Sequence, residues 1–255
     1  MEVLIMAYKV VDIVLYNDEK FLLDLRREIL KDVVDLFIVK QGNTTFSGIP
    51  REIFESDQEN TKTEVVEFPE NLDTWGRDIY QRAYILDLKK YGVNDSWIVL
   101  TSDLDEVPDP KAVMWLKENF KKEEVYSFEQ MMFQYFLNVQ NTSEPWAGTR
   151  ACSFETYQKI DADTLRKQYM TNILQDAGWH WSFLGGKDMV EKKIRSYAHQ
   201  EYNNDYIIND INRKMNENKD IFERAFELKV TTIDSKFPEY IRKNQDKLSK
   251  FIKKV

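Results

Sequence analysis

The sequence predicts an α/β protein, a single domain over residues 1–255 built on a mixed, mostly parallel central sheet flanked by helices. Three observations predict it. Residues 10–39 read strand, helix, strand, the length of one βαβ unit. The run Trp97-Ile98-Val99-Leu100 is a short, continuously apolar strand of the kind buried in parallel sheets. The chain has 255 residues, 42% hydrophobic and 31% charged, a globular balance with enough length for a sizeable core.

Residues 10–16 form the first strand, and Asn17-Asp18 supply a helix-start signal. Phe21, Leu22, Leu25, Ile29 and Leu30 recur at helical spacing, and residues 36–39 return as a strand. No Gly-rich fingerprint accompanies this unit, which argues against a dinucleotide site of the Rossmann type. A further strand is expected at 63–68, and a helix over 77–90 with Ile79, Tyr80, Ala83 and Leu86 on its apolar side. After the strand at 97 comes a helix over 110–120, then one long strand or two within 125–139. Residues 178–186 read as a short strand closed by a glycine turn. Helices are expected at 188–198 and 205–226, and a basic amphipathic helix at 237–255 that packs on the domain, with contact to a membrane surface as the alternative.

The formal net charge of −8 argues against nucleic acid as partner. Cys152 is the only cysteine, so no intrachain disulfide forms and no oxidising compartment is implied. No apolar run is long enough to span a bilayer, and residues 1–9 lack the marks of a signal peptide. The expectation is a cytoplasmic chain without a transmembrane segment. The oligomeric state is not legible.

The chemistry centres on residues 102–108, Ser-Asp-Leu-Asp-Glu-Val-Pro, where the apolar strand runs into three carboxylates before a proline. The carboxyl edge of an open α/β sheet is where ligands bind. In extended chain Asp103 and Asp105 project to one side, so two hard oxygen donors share a divalent cation that holds nucleotide phosphates; a solvated acidic turn is the plainer alternative. The two histidines, His180 and His199, are candidate further ligands in a mixed oxygen–nitrogen set suited to manganese or magnesium; a hydrogen-bonded core histidine and a surface histidine are the alternatives. Asp188 follows Gly185-Gly186-Lys187 at a helix start, placed as a cap or as a base. Glu129 and Asp176 lie in apolar or aromatic sequence, where a raised pKa would suit a general base. Asp78 and Arg82 form either an exposed i,i+4 ion pair or an arginine turned toward a pyrophosphate.

These pieces stand in an order that resembles glycosyltransferase family 17. Residues 33–39, with Arg26 upstream and Asn43, Thr45, Gly48, Pro50 and Arg51 downstream, are similar to its opening block. Trp75, Asp78, Tyr80 and Arg82 match W-x-x-D-x-Y-x-R, residues 103–108 match D-x-D-E-[IV]-P, and Ala177-Gly178-Trp179-His180 with Ser182 matches A-G-W-H-x-S. Residues 238–244 resemble its closing helix. The resemblance implies a GT-A type nucleotide-sugar-binding fold, with a donor half over about 1–110 and an acceptor half over about 111–255. It also implies a UDP-sugar donor, GlcNAc by family, a glycan acceptor, Mn²⁺ or Mg²⁺, and inversion at the anomeric carbon. Carried over, Asp103 and Asp105 bind metal and nucleotide, Asn17, Glu19, Arg26, Asp78 and Arg82 flank the donor, Asp188 is the first candidate for base, and His180 or His199 completes the metal shell. Two rivals stand beside this reading. Residues 103–107 are also similar to the nucleophile motif of haloacid-dehalogenase phosphohydrolases, with Glu106 in place of that motif's glycine. The other is a sugar-binding scaffold without catalysis.

Overall fold

The computed structural model describes residues 8–254. Most of the segment read for a signal peptide, residues 1–7, lies outside the described residues. In chain order the elements are β1 (Lys9–Leu15), α1 (Lys20–Leu30), β2 (Leu36–Gly42), β3 (Thr61–Val66), α2 (Thr74–Ala83), β4 (Trp97–Asp103), β5 (Glu106–Pro108) and α3 (Pro110–Asn119). They continue with β6 (Tyr126–Gln134), β7 (Val139–Ser153), α4 (Phe154–Lys159), α5 (Ala162–Gln168), β8 (Ile173–Leu174), β9 (Gly178–Ser182), α6 (Lys187–Ser196), α7 (Asp205–Glu217), β10 (Leu228–Val230) and α8 (Glu239–Lys243).

The described strands make one sheet in the order β3-β2-β1-β4-β7-β6-β9-β5, with β10 beside β7 and β8 beside β6. Strands β3, β2, β1 and β4 are mutually parallel. Strand β7 runs antiparallel to β4 and to β6, and β9 is parallel to β6 but antiparallel to β5. The sheet is therefore mixed, and its parallel block is the amino-terminal part. No described helix is long and apolar enough to cross a membrane.

Strand alternation sorts the core into two faces. On β1, Val10 and Val14 join the apolar cluster beneath α1, α3 and α8, whereas Val11 and Ile13 face the cluster of Leu86, Phe154, Tyr157 and Leu165 beside α4 and α5. On β4, Ile98 and Leu100 take the first face and Trp97 and Val99 the second. A third cluster joins Ile194, Ile208 and Ile211 of α6 and α7 to Phe183.

Asp12 and Ser102 lie on the α1 face, and there Arg26 meets them. Its Nε and Nη2 donate to the Asp12 carboxylate at 2.8 and 2.7 Å, and Nη2 also donates to Ser102 Oγ at 2.7 Å. Nη1 donates to the carbonyls of Asp103, Leu104 and Glu106 at 3.3, 3.3 and 2.7 Å. Both side chains of the ion pair are 0% exposed. A buried charge needs this degree of pairing, and one planar guanidinium supplies it. The result is a turn at 103–106 held from below.

Several expected elements differ. The helix expected over 77–90 begins at Thr74, because Asp73 caps it by accepting from the Gly76 N–H at 2.6 Å. It stops at Ala83, since the Lys40 ammonium donates to the carbonyls of Arg82 and Tyr84 at 3.1 and 3.0 Å, and the chain then turns to bury Leu86 and Leu88. The helix expected to reach residue 226 ends at Glu217, where Asn218 adopts φ 52° in the left-handed region. The carboxyl-terminal helix is reduced to α8 and a 3₁₀ turn, because Phe251 stacks on Phe21 at 3.6 Å and Lys253 reaches the carbonyls of Met215 and Asn216. Residues 125–139 resolve into β6 and the start of β7. Strand β7 and helices α4 and α5 were not foreseen, although Ser153 and Asp161 cap those helices through the Thr156 and Thr164 N–H groups.

Replacing Arg26 with Met should leave Asp12 buried and uncompensated, at a cost of about 3–5 kcal/mol in urea denaturation. An unchanged midpoint would show that the ion pair does not hold the turn.

Candidate active site

A cleft of about 850 Å³ opens at the carboxyl edge of β1 and β4 and extends across β5 and β9 to α2, α5 and α6. The sheet order places it there. Alternation sends Ser102 toward Arg26 and Asp103 to the opposite face, where Arg82 of α2 and Arg166 of α5 wait. The Arg82 Nη1 binds one Asp103 oxygen, and the Arg166 Nη2 lies 3.3 Å from the other. The extended chain ends at Asp103. Residues 104 and 105 form a turn, so Asp103 and Asp105 do not project together as the spacing predicted.

Asp105 instead meets Lys193 of α6 and His180 of β9. The Lys193 Nζ donates to Asp105 Oδ2 at 2.8 Å and lies 2.8 Å from the Glu19 carboxylate, and the His180 Nε2 is 3.5 Å from Asp105. Burial alone would raise the Asp105 carboxyl, but the Lys193 and His180 charges and hydrogen bonds outweigh it and hold Asp105 well below the carboxylate range. Burial would lower the Lys193 ammonium, yet Asp105 and Glu19 together drive it up. At Glu19, burial prevails over the shared lysine and the carboxyl is raised.

Glu106 is fully buried and joins the two sides of the cleft. Its carboxylate accepts from Arg166 at 2.6 and 2.8 Å, from the Trp146 indole N–H at 2.6 Å and from the Asp103 N–H at 2.9 Å. Burial opposes its charge, but Arg166 brings it down to about 2. Gly148 on β7 makes room for this group, since an added Cβ would collide with the Glu106 carboxyl carbon and the Gln130 amide oxygen. Arg82 pairs with Asp78 at 2.9 Å and approaches Asp163 at 3.8 Å. Burial raises the Asp78 carboxyl, with Arg82 pulling against it. At the outer rim, Trp75 meets His199 edge-on at 4.3 Å, and Tyr202 stacks on Phe222 at 4.1 Å.

Of the residues singled out in the sequence, Asn17, Glu19, Asp78, Arg82, Asp103, Asp105, His180 and His199 line this cleft. His199 is on its aromatic rim, hydrogen-bonded to Glu201 at 2.7 Å. Arg26 lies beneath the cleft with no exposed surface, so it acts on the turn rather than on a ligand. Asp188, Asp176 and Glu129 are not among the lining residues. Asp188 is exposed in the first turn of α6, where Gly186 holds the N-cap position; Asp176 is exposed in a turn; Glu129 is half-buried on β6. Lys193, Arg166, Asp163 and Trp146 line the cleft and were missed. The nearest available signal was the Asp161 cap, which would have announced α5 and hence Arg166.

The donor chemistry suits a divalent cation in one place. Asp105 and Glu19 converge on a single positive group, and one or two carboxylates plus substrate phosphates suffice for magnesium-type binding. Asp103 faces guanidinium groups instead, and among the described residues no set of three or more His, Cys, Asp or Glu side chains is grouped to hold a metal.

An acidic turn clamped by arginines thus stands at the carboxyl edge of a parallel block, the edge at which α/β folds receive ligands, and faces an aromatic rim. The family model of glycosyltransferase family 17 matches residues 2–228, and the chain belongs to that family. It is similar to proteins named beta-1,4-mannosyl-glycoprotein 4-beta-N-acetylglucosaminyltransferase from Homo sapiens, Rattus norvegicus and Mus musculus. Each is 27% identical over 236 residues, covering 76% of this chain. The matched region spans 44% of the length of each of these relatives.

Two outcomes test this geometry. Gly148→Ala should push Glu106 from its seat and cost about 1–3 kcal/mol in stability, read by thermal unfolding. Lys40, on β2 behind Arg82, is lowered from 10.5 to about 7 by burial and by Arg82. Between those values the unfolded chain holds a proton that the folded chain has lost, so stability rises with pH. The wild type should therefore gain stability relative to Lys40→Met between pH 7 and 10, and a constant difference would show that Lys40 stays charged.

Proposed function

We propose that this chain transfers a sugar from a UDP-sugar to a hydroxyl of a glycan acceptor on a GT-A type scaffold, with inversion at the anomeric carbon and Mn²⁺ or Mg²⁺ as the cation. The names of its relatives suggest N-acetylglucosamine as the sugar. The observation that carries the proposal is the convergence of Arg82, Arg166 and Lys193 on the two aspartates of the D-x-D turn, at the sheet edge where α/β folds receive nucleotides. These cations can re-pair with the phosphates of a donor.

In the reaction the acceptor oxygen bonds to the anomeric carbon. The bond from that carbon to the diphosphate oxygen breaks, and its electron pair leaves with the diphosphate. The acceptor's proton passes to a protein carboxylate. Asp105 and Glu19 would hold the metal, which supplies positive charge to the departing diphosphate. Arg82 and Arg166 orient the phosphates from the Asp103 side. Asp105 and Glu106 are held too acidic to be effective bases. Asp78, raised by burial and lining the cleft, takes the proton in place of Asp188. The rim of Trp75, His199, Tyr202 and Phe222 offers aromatic faces to the apolar face of an acceptor sugar.

Incubation with UDP-GlcNAc, Mn²⁺ and a mannose-containing N-glycan should add one N-acetylhexosamine to the glycan by mass spectrometry. Failure of UDP-sugars to bind, measured by calorimetry across a panel, would overturn the assignment. Asp78→Asn should lower kcat by about 10²–10⁴ while UDP affinity is retained. Retained turnover would remove Asp78 as the base. Trp75→Ala should raise the acceptor KM and leave donor affinity unchanged.

A further inference from the structure

We infer that Lys193 is the exchangeable occupant of the cation seat between Asp105 and Glu19: its ammonium fills the seat in the empty enzyme and leaves it when a divalent cation enters. The inference rests on the metal-assisted reading above. The Lys193 Nζ stands 2.8 Å from Oδ2 of Asp105 and 2.8 Å from Oε1 of Glu19. A divalent ion bound by those oxygens needs metal–oxygen distances of roughly 2.0–2.1 Å for magnesium. It would therefore occupy the space in which the ammonium sits, and two cations cannot share it. The seat takes one at a time.

The surroundings define what each state costs. His180 Nε2, 3.5 Å from Asp105, stays beside the seat in both, and Phe183 lies beneath the ammonium with its ring centroid 5.5 Å from Nζ. Without any cation, Asp105 and Glu19 would be left as two neighbouring carboxylates with no positive partner between them, which the lysine prevents. Lys193 stands on α6, whose inner residues Val190 and Ile194 are locked in the core, so the helix stays in place and the four-carbon stem does the moving. Displaced from the seat, the ammonium remains within the cleft that receives the donor. It then faces the phosphates instead of the carboxylates. Exchange of this kind makes metal and donor enter together, because the donor's phosphates supply the partner that the lysine loses.

The test is Mn²⁺ binding by calorimetry to the wild type, Lys193→Met and Lys193→Arg, with and without UDP. Lys193→Met should bind Mn²⁺ at least tenfold more tightly than the wild type without UDP, because the competitor is gone. Mn²⁺ should likewise raise its Tm by more. UDP should tighten Mn²⁺ binding in the wild type and do so far less in Lys193→Met. Adding Asp105→Asn to Lys193→Met should abolish the gain. Unchanged or weaker Mn²⁺ binding by Lys193→Met, or no Mn²⁺ binding by any of the three proteins, overturns the inference. Because these readouts need no turnover, an enzyme that binds Mn²⁺ as described but transfers no sugar would overturn the proposed reaction and leave the exchange standing.

Discussion

The ion pair between Arg26 and Asp12 is the constraint on which the cleft depends. It ties α1 to β1 and spends its remaining N–H groups on Ser102 and on the carbonyls of the 103–106 turn. A turn rich in carboxylates would spread by mutual repulsion if its backbone were free. Here one cation beneath it satisfies the carbonyls and offsets part of the charge. Such a pair costs much to bury, so its value lies in fixing one backbone geometry rather than in net stability.

Above that base, the cleft is an arrangement of neutralised charge. Asp103 is matched by two guanidiniums, Glu106 by Arg166 and an indole, and Asp105 by Lys193 and His180. Each partner comes from a different element, and none is near its carboxylate in sequence. In the proposed reaction, binding a diphosphate would be an exchange of partners among these groups. Preorganisation of this sort lowers the cost of assembling positive charge around a leaving group.

What could be read from the sequence follows from how local each signal was. The parallel block was legible because continuous apolar runs and helical spacing are encoded within a few residues, and the acidic strand end was legible because its residues are consecutive. The Asp103–Asp105 geometry was misread because the alternation rule was carried past the end of the strand. The Asp161 cap announces the helix that carries Arg166, but no local pattern says that Arg166 or Lys193 reaches the turn: only the sheet order brings them there. Asp12 was the neglected clue, a carboxylate within an apolar strand that required a buried cation. Asp188, by contrast, drew attention through its glycine turn, although a helix start exposes its first turn to solvent as readily as to a site.

Strand β7 has a mechanical consequence. It pairs with β6 from one end to the other, and its two ends pair in addition with β10 and with β4 of the parallel block. The parallel block and the rest of the sheet are thus joined through one strand, whose ladder with β6 is broken by register shifts between Ser127 and Glu129 and between Gln130 and Met132. Bulges of this kind bend a strand and leave its backbone locally unpaired, so the give in the sheet lies at those two breaks and not at the ends of β7. Trp146 and Ala147, which line the cleft, stand between the two breaks, so a bend there reshapes the wall of the cleft while both ends of the strand stay paired.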